Sequence, residues 1–125
     1  PEDVVAAVAA GVDMFDCVLP TRSGRNGQAF TRRGKVNIRN ARHAGDPRPL
    51  EDGCACPVCA GYSRGYVHHL VRRGEILGAV LTTMHNLTHY QTLMAGLRDA
   101  IVAESLTAFI ESFVAGLAAG DIASL

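Results

Sequence analysis

The chain has 125 residues, of which 48% are hydrophobic, and this size and composition suit one domain with a hydrophobic core. Its 12 Lys and Arg residues balance 12 Asp and Glu residues, and no apolar run of about 18 residues predicts a membrane-spanning helix. The acidic start lacks the basic region of a secretory leader, and the absence of an initial Met predicts a fragment or a processed chain.

The predicted elements begin with a helix and a strand. Apolar residues at helical spacing predict a short helix over residues 2–10, which ends at Gly11. The apolar run 13–19 predicts a buried strand that ends at Pro20. A helix followed by a short apolar strand is typical of an α/β protein with parallel strands.

The middle of the chain is predicted to be irregular apart from one hairpin. A loop rich in Gly and Arg follows at 21–27, and strands at 29–31 and 36–38 would flank a turn at 32–34. Residues 40–53 contain two prolines and are expected to lack regular structure.

Three helices are predicted after the cysteine-rich segment. The first covers 63–73 and ends at Gly74, the second covers 75–103, and the third covers 106–118 before Gly120. Apolar residues recur at three- and four-residue steps through the second helix, which predicts a long, amphipathic element.

Three of the four cysteines and one histidine predict a metal site. Cys54, Cys56 and Cys59 lie in one short run, and His85 follows after a spacer of 25 residues. Thiolate sulfur and imidazole nitrogen are the ligands of closed, tetrahedral Zn²⁺ sites, which are usually structural. Such a site has no open position for substrate, so we expect the chemistry to take place elsewhere.

The other histidines leave alternatives open. His68 and His69 lie in the preceding predicted helix and could belong to a different ligand set, whereas His89 is expected to pack beside the site. Cysteines at metal spacing argue against disulfide bonds and for a reducing compartment, for which the cytoplasm is the default.

Positive charge is concentrated between residues 22 and 48. Eight basic residues and one acid, Asp46, give this window a net charge of +7, since eight minus one is seven. Such a segment suits a nucleic-acid phosphate backbone, and a solvated loop face is the alternative interpretation. The basic residues are Arg22, Arg25, Arg32, Arg33, Lys35, Arg39, Arg42 and Arg48.

Asp16 is the candidate catalytic residue. A carboxylate in an apolar strand is costly without a partner or a function, and the carboxyl ends of parallel strands form active-site rims. Asp16 could attack a sugar carbon as a nucleophile, or it could be a structural partner of Arg22 or Arg25. Cys17 would lie on the opposite strand face as a buried thiol.

These motifs resemble bacterial tRNA-guanine transglycosylases, also called queuine tRNA-ribosyltransferases. Residues 11–27 resemble the nucleophile segment of that family, and the Cys-x-Cys-x2-Cys-x25-His pattern resembles its zinc motif. Residues 75–78, 85–87, Tyr90 and 93–94 resemble its zinc-bearing helix, so the resemblance covers essentially the whole chain.

The resemblance implies an α/β fold, the C-terminal part of a (β/α)₈ TIM barrel with an inserted zinc-binding subdomain and long closing helices. Residues 1–27 would then be the last barrel helix–strand unit with the nucleophile loop, 28–74 the zinc-binding insertion with its hairpin, and 75–125 the closing helices.

The resemblance also implies a function in queuosine biosynthesis. Enzymes of the family exchange the wobble guanine of tRNA for a 7-deazaguanine, pre-queuosine-1 in bacteria, through a covalent aspartyl-ribose intermediate. By motif, Asp16 would be the nucleophile, and Arg22 and Arg25 would contact the tRNA anticodon loop. The ligands of one structural Zn²⁺ would be Cys54, Cys56, Cys59 and His85.

Other family features bear on partners and completeness. The second catalytic aspartate and the base-recognition residues would precede residue 1, so the chain alone is expected to be inactive. A homodimer through the zinc subdomain is expected. A stripe of side chains after the cysteines could form its interface or could instead pack within the chain against the long helix. A non-catalytic, zinc-stabilised RNA-binding module or accessory subunit is the alternative function. The stripe comprises Tyr62, Tyr66, His69 and Leu70.

Overall fold

The computed structural model describes the whole chain, Pro1–Leu125. It contains six α-helices, one two-stranded antiparallel sheet and a short 3₁₀ turn at Ala41–His43. In chain order the elements are α1 (Glu2–Ala9), α2 (Leu19–Arg25), β1 (Gln28–Thr31), β2 (Gly34–Asn37), α3 (Pro57–Gly61), α4 (Arg64–Arg73), α5 (Ile76–Val102) and α6 (Leu106–Ala119).

Helix α5 is the scaffold on which the rest of the chain is assembled. Its 27 residues contact α2, α3, α4, α6 and β1, so most of the other elements pack against it. One apolar cluster joins the hairpin, the cysteine segment and α4 to its first half, around Leu81. A second cluster joins α1 and Phe30 to its second half, around Leu97.

The predicted helices α1, α4, α5 and α6 are confirmed. The residues at the two ends of α4 show why that helix begins and ends where it does. The Ser63 hydroxyl accepts a hydrogen bond from the Tyr66 N–H at 3.1 Å and caps the start of α4. Gly74 adopts a left-handed conformation at φ 73°, which is unfavourable for residues that have a Cβ. It ends α4 directly before α5.

The predicted hairpin is also confirmed. Strands β1 and β2 pair with Ala29 opposite Val36 and Thr31 opposite Gly34. Ala29, Phe30 and Val36 are buried, so the hairpin lies against the core through both strands.

The predicted strand at 13–19 is wrong, and Cys17 is not a buried thiol. Residues 12–18 have no regular structure, and Cys17 is exposed, as is Met14 at 86%. A parallel strand satisfies its backbone groups only beside another strand, and the one sheet of this chain is the β1–β2 hairpin. Without a neighbouring strand, this apolar segment therefore has no regular structure, and most of its residues are exposed.

Two short helices were not predicted. Helix α2 replaces the expected loop at 21–27, because Pro20 lies in its first turn, where a missing N–H breaks no hydrogen bond. Helix α3 begins in the same way at Pro57, directly after Cys56. None of the helices combines the length and the apolarity that crossing a membrane requires.

Helices α2 and α5 are in direct backbone contact at one position. A Cβ added to Gly24 would lie 2.5 Å from Thr83 Oγ1 and 2.7 Å from Thr83 Cα. The absence of a side chain at Gly24 thus sets the distance between the two helices.

Replacing Gly24 by Ala should therefore lower the free energy of unfolding by about 1–3 kcal/mol, because the added methyl group forces the helices apart. Urea denaturation followed by circular dichroism measures this change. Gly61→Ala is the matched control, since no atom lies within 4 Å of its added Cβ. Equal midpoints for the two variants would contradict the close packing of α2 on α5.

Candidate metal centre and the adjoining segment

The structure brings together the three cysteines and the histidine that the spacing singled out. The ligand atoms of Cys54, Cys56, Cys59 and His85 all lie within 4.8 Å of one another. His85 Nδ1 is 3.9, 3.6 and 3.5 Å from the sulfur atoms of the three cysteines in that order.

These distances match a tetrahedral zinc site. With Zn–S near 2.3 Å and Zn–N near 2.0–2.1 Å, the edges of a tetrahedron are about 3.6 Å from sulfur to nitrogen and about 3.8 Å between sulfurs. The sulfur–nitrogen distances at His85 agree with that edge. The cluster is consistent with one structural Zn²⁺ and has no fifth ligand group in its set.

Backbone hydrogen bonds within the cysteine segment help to position the cysteines. The Cys56 sulfur accepts a hydrogen bond from the Cys59 N–H at 3.3 Å and so caps helix α3. The Cys54 N–H donates to the Glu51 carbonyl at 3.4 Å in the preceding turn. The helix cap and the turn together orient all three side chains toward α5.

His85 is oriented by a hydrogen bond on its far side. It is fully buried in α5, and its Nε2–H donates to the Phe30 carbonyl at 2.8 Å. A carbonyl can only accept, so the proton sits on Nε2 and the Nδ1 lone pair faces the sulfurs. This is the usual arrangement of a metal-binding histidine, with the backbone of β1 fixing its tautomer.

Burial shapes the acid–base chemistry of the cluster. It lowers the pKa of His85, which favours the neutral imidazole that binds metals, and it raises the pKa of the Cys54 and Cys59 thiols. Neighbouring thiolates in a desolvated site are stable only beside a cation. The donor set therefore fits a thiophilic divalent metal.

Glu51 ties the cysteine segment to the hairpin and to α5. Its carboxylate accepts from the Arg32 N–H at 2.7 Å and Arg32 Nε at 2.9 Å, and it lies 3.9 Å from His89 Nδ1. Burial alone would raise the pKa of Glu51, but His89 and Arg32 outweigh it and lower the pKa to about 2. As expected, His89 is a buried neighbour of the site and not a ligand.

Asn86 connects the metal cluster to the segment that contains Asp16. Its Oδ1 accepts from the Phe30 N–H at 2.9 Å, while its Nδ2 donates to the Pro20 carbonyl at 3.0 Å and the Gln28 carbonyl at 2.9 Å. Asn86 is fully buried and directly follows His85 in α5. One turn of α5 thus positions both the metal ligand and the start of α2.

The alternative ligands His68 and His69 lie outside the cluster. His68 is buried against the hairpin end, where its Nδ1–H donates to the Ile38 carbonyl at 2.6 Å. His69 is exposed on α4. The ligand set with His85 is therefore the one that the structure assembles.

Asp16 is exposed and has no ion-pair partner. The structure contains no salt bridge between Asp16 and Arg22 or Arg25, so the structural pairing considered as an alternative is not formed. Both arginines are exposed on α2, and the guanidinium groups make no intramolecular hydrogen bond. The side chains of Asp16, Arg22 and Arg25 are therefore all exposed and available to bind a ligand.

Three of the eight basic residues between 22 and 48, together with Arg64, bind the C-terminal tail, defined here as residues 119–123. Arg33 donates to the Gly120 carbonyl at 2.7 Å, and the buried Arg64 holds Asp121 through two contacts of 3.0 and 3.1 Å. The four side chains that bind the tail are Arg33, Arg42, Arg48 and Arg64. Sequence reasoning missed this arrangement, since the partners are more than 50 residues apart.

Comparison with known proteins agrees with these features. The family model described as "TGT: Queuine tRNA-ribosyltransferase" matches residues 1–119. The queuine tRNA-ribosyltransferase of Dinoroseobacter shibae is 62% identical over 123 residues, which are 98% of this chain and 33% of that protein.

Two further relatives with the same name give similar values. The protein of Cereibacter sphaeroides is 59% identical over 125 residues, covering 100% of this chain and 33% of the relative. That of Sphingopyxis alaskensis is 63% identical over 115 residues, covering 92% and 31%. The chain spans about a third of the length of these relatives. It belongs to the queuine tRNA-ribosyltransferase family.

Proposed function

We propose that a full-length protein containing this chain exchanges the wobble-position guanine of tRNA for a 7-deazaguanine, pre-queuosine-1, in queuosine biosynthesis. The observation that carries the proposal is the exposed, unpaired Asp16, which precedes the helix bearing Arg22 and Arg25 in a chain of this family. The chain alone is expected to be inactive, because the rest of the catalytic machinery would lie in the remaining two thirds of such a protein.

Asp16 would act as the nucleophile. Its carboxylate attacks the anomeric carbon of the ribose, the glycosidic bond breaks, and guanine leaves with the bonding electrons and then gains a proton. A ring nitrogen of the incoming deazaguanine then attacks the same carbon and gives up its proton to a general base in the rest of the protein, while the bond from the carbon to the Asp16 carboxylate breaks. Solvent exposure of Asp16 and the lack of a competing guanidinium leave both carboxylate oxygens available for this step.

Arg22 and Arg25 would contact the tRNA anticodon loop. Residues three apart on a helix lie on adjacent parts of one face, so both can reach consecutive phosphates. The fully hydrogen-bonded Asn86 holds the start of α2 through the Pro20 carbonyl and so keeps this face in register with α5.

The zinc would support this arrangement without taking part in the reaction. Cys54, Cys56, Cys59 and His85 would hold Zn²⁺, which supplies charge neutralisation for the thiolates and a crosslink between the cysteine segment and α5. Cysteines that bind a metal must stay reduced, which a reducing compartment ensures. We therefore also propose a cytoplasmic location.

In the full-length protein, we place residues 1–27 in the last helix–strand unit of a TIM barrel, 28–74 in the zinc insertion and 75–125 in the closing helices. Exposed apolar side chains at Val12, Met14 and Val18 support this, because they are available to a neighbouring strand.

We also propose a homodimer formed through the zinc subdomain. The rings of Tyr62 and Tyr66 stack at 5.6 Å between centroids, and both are about 40% exposed, at 39% and 42%. Exposed aromatic pairs are typical anchors of protein interfaces. Leu70, expected on the same stripe, is instead buried in the core, which leaves Tyr62, Tyr66 and His69 for the interface.

Asp16→Asn in the full-length protein should abolish the covalent tRNA adduct and lower the exchange rate at least about a thousand-fold, since it removes the nucleophile. Denaturing gels with labelled tRNA measure the adduct. Asp13→Asn is the matched control, an exposed aspartate in the same segment, and should keep it. A persistent adduct in Asp16→Asn would refute the assignment, and a non-catalytic RNA-binding module would then be favoured.

Cys56→Ser should reduce bound zinc from about one ion per chain to well below one and should lower the melting temperature, because the crosslink to α5 is lost. Elemental analysis and thermal melts measure both quantities. Cys17→Ser is the control, an exposed cysteine outside the cluster, and should bind zinc normally. Unchanged zinc content in Cys56→Ser would contradict the site.

Tyr66→Ala should weaken the homodimer at least about tenfold, because an aromatic anchor is lost from the interface. Sedimentation equilibrium of the full-length protein gives the dissociation constant. Val114→Ala, an exposed apolar residue on α6, is the comparison variant. A dimer unaffected by Tyr66→Ala would rule out this part of the zinc subdomain as the interface.

A further inference from the structure

The segment that contains Asp16 is hydrogen-bonded to the rest of the chain only at its two ends. At its start, the Val12 N–H donates to a carbonyl of α1 at 3.0 Å. At its end, the Val18 carbonyl accepts from the Arg22 N–H at 2.9 Å. Between these points, residues 13–17 make no intramolecular hydrogen bond. Hydrogen bonds within the chain therefore do not fix the position of the Asp16 carboxylate.

Phe15 is the one side chain from residue 11 to residue 19 that is not exposed. Its two neighbours along the chain, Met14 and Asp16, are both exposed. The Phe15 ring packs against the apolar cluster that α1, Phe30 and the second half of α5 share. It is therefore the main side-chain attachment of this segment to the helices.

The cluster that receives the Phe15 ring is rigid. Phe30 and Tyr90 pack edge to face in it, with ring centroids 5.4 Å apart and an angle of 80° between the ring planes. Both backbone groups of Phe30 are hydrogen-bonded to side chains of α5, to His85 at 2.8 Å and to Asn86 at 2.9 Å. Closely packed rings with a fixed backbone have few alternative positions. The Phe15 ring thus lies against a surface that does not move easily.

Cys17 also lies near this cluster. Burial raises the pKa of Tyr90 to about 12, and Cys17 is the next contributor to that increase. An electrostatic effect of this kind requires Cys17 to lie near the Tyr90 hydroxyl. The two residues that flank Asp16 are therefore both close to the cluster, while Asp16 itself is exposed.

Core packing alone accounts for only part of this arrangement. The seven buried residues of the cluster come from α1, β1 and α5, and Phe15 is one of six half-buried side chains at its edge. The other five belong to α5 or α6, and Phe15 alone comes from a segment without regular structure. A ring at the edge of a cluster contributes less to the core than a buried one, but here it also locates an otherwise unattached segment.

The same contact would set the direction of Asp16 in the barrel proposed above. A strand pairs with its neighbours through its backbone, and the burial of its apolar side chains decides which residues face the helices. Successive side chains of a strand point to opposite faces. With Phe15 against the helices, Asp16 would therefore face the other side, where a substrate can reach it.

We propose that Phe15 is a positioning residue for the nucleophile and holds residues 13–17 against the helices so that the Asp16 carboxylate is presented to the ribose. The inference rests on the proposed function, since it concerns the same reaction. Attack requires the reacting atoms to be about 3–3.5 Å apart and aligned, and a displacement of about 1 Å costs up to about a hundredfold in rate. An attachment one residue from the carboxylate acts directly on this distance.

In the full-length protein, Phe15→Ala should slow adduct formation at saturating tRNA about ten- to a hundredfold, while the dissociation constant for tRNA changes by less than about twofold. Single-turnover quench experiments on denaturing gels measure the rate, and fluorescence anisotropy with labelled tRNA measures the dissociation constant. Phe15→Leu keeps an apolar side chain of similar reach and should stay within about threefold of the wild-type rate. Phe15→Val should be intermediate, so the series remains informative if Phe15→Ala does not fold.

Phe113→Ala is the matched control. It truncates another half-buried phenylalanine at the edge of the same cluster, but from α6 instead of from the Asp16 segment. Thermal melts should show a comparable decrease in melting temperature for Phe113→Ala and Phe15→Ala. The rate of adduct formation should stay within about twofold of wild type in Phe113→Ala.

Equal slowing of adduct formation in Phe15→Ala and Phe113→Ala would overturn the proposal, because the loss would then follow stability. A wild-type rate in Phe15→Ala, or a loss confined to tRNA affinity, would do the same. An adduct retained in Asp16→Asn would contradict both the proposed function and this inference. An adduct lost in Asp16→Asn but formed at the wild-type rate in Phe15→Ala would contradict this inference alone.

Discussion

The packing of the hairpin, the cysteine segment and the start of α2 against α5 depends on two adjacent buried side chains of α5, His85 and Asn86. The imidazole reaches the three cysteines on one side and the Phe30 carbonyl on the other. The neighbouring amide receives the Phe30 N–H and holds the carbonyls of Pro20 and Gln28. Both backbone groups of Phe30 are therefore satisfied by consecutive residues of one helix, and any displacement of the hairpin would break bonds at both.

Much of the fold could be predicted because its signals are local. Helical spacing, the Ser63 cap and the Gly74 end depend on residues within a few positions, and the hairpin depends on a two-residue turn. The strand expected at 13–19 failed because a strand depends on partners that spacing cannot supply. Helix α2 was missed because Pro20 was interpreted only as a stop, although proline is equally suited to the first turn of a helix.

The candidate site was predictable to the extent that its chemistry is encoded in spacing. Three thiols in one run and a distant histidine identified the metal cluster. Asn86 and Glu51 were not identified, because their partners lie up to 66 residues away and an Asn or a Glu has many possible roles. The charge of the basic segment was counted correctly, but counting could not distinguish free arginines from those that bind the C-terminal tail.

The tail contacts also separate two roles that a positive charge can have. Arg33 is bonded to the neutral carbonyls of Ala119 and Gly120, so its hydrogen-bonding capacity is partly used while its charge is retained. Arg64, in contrast, is paired with the carboxylate of Asp121. Under the proposed function, Arg33 would contribute to the long-range field that steers the tRNA toward the surface without binding a phosphate itself, and this contribution to the association rate would decrease with ionic strength.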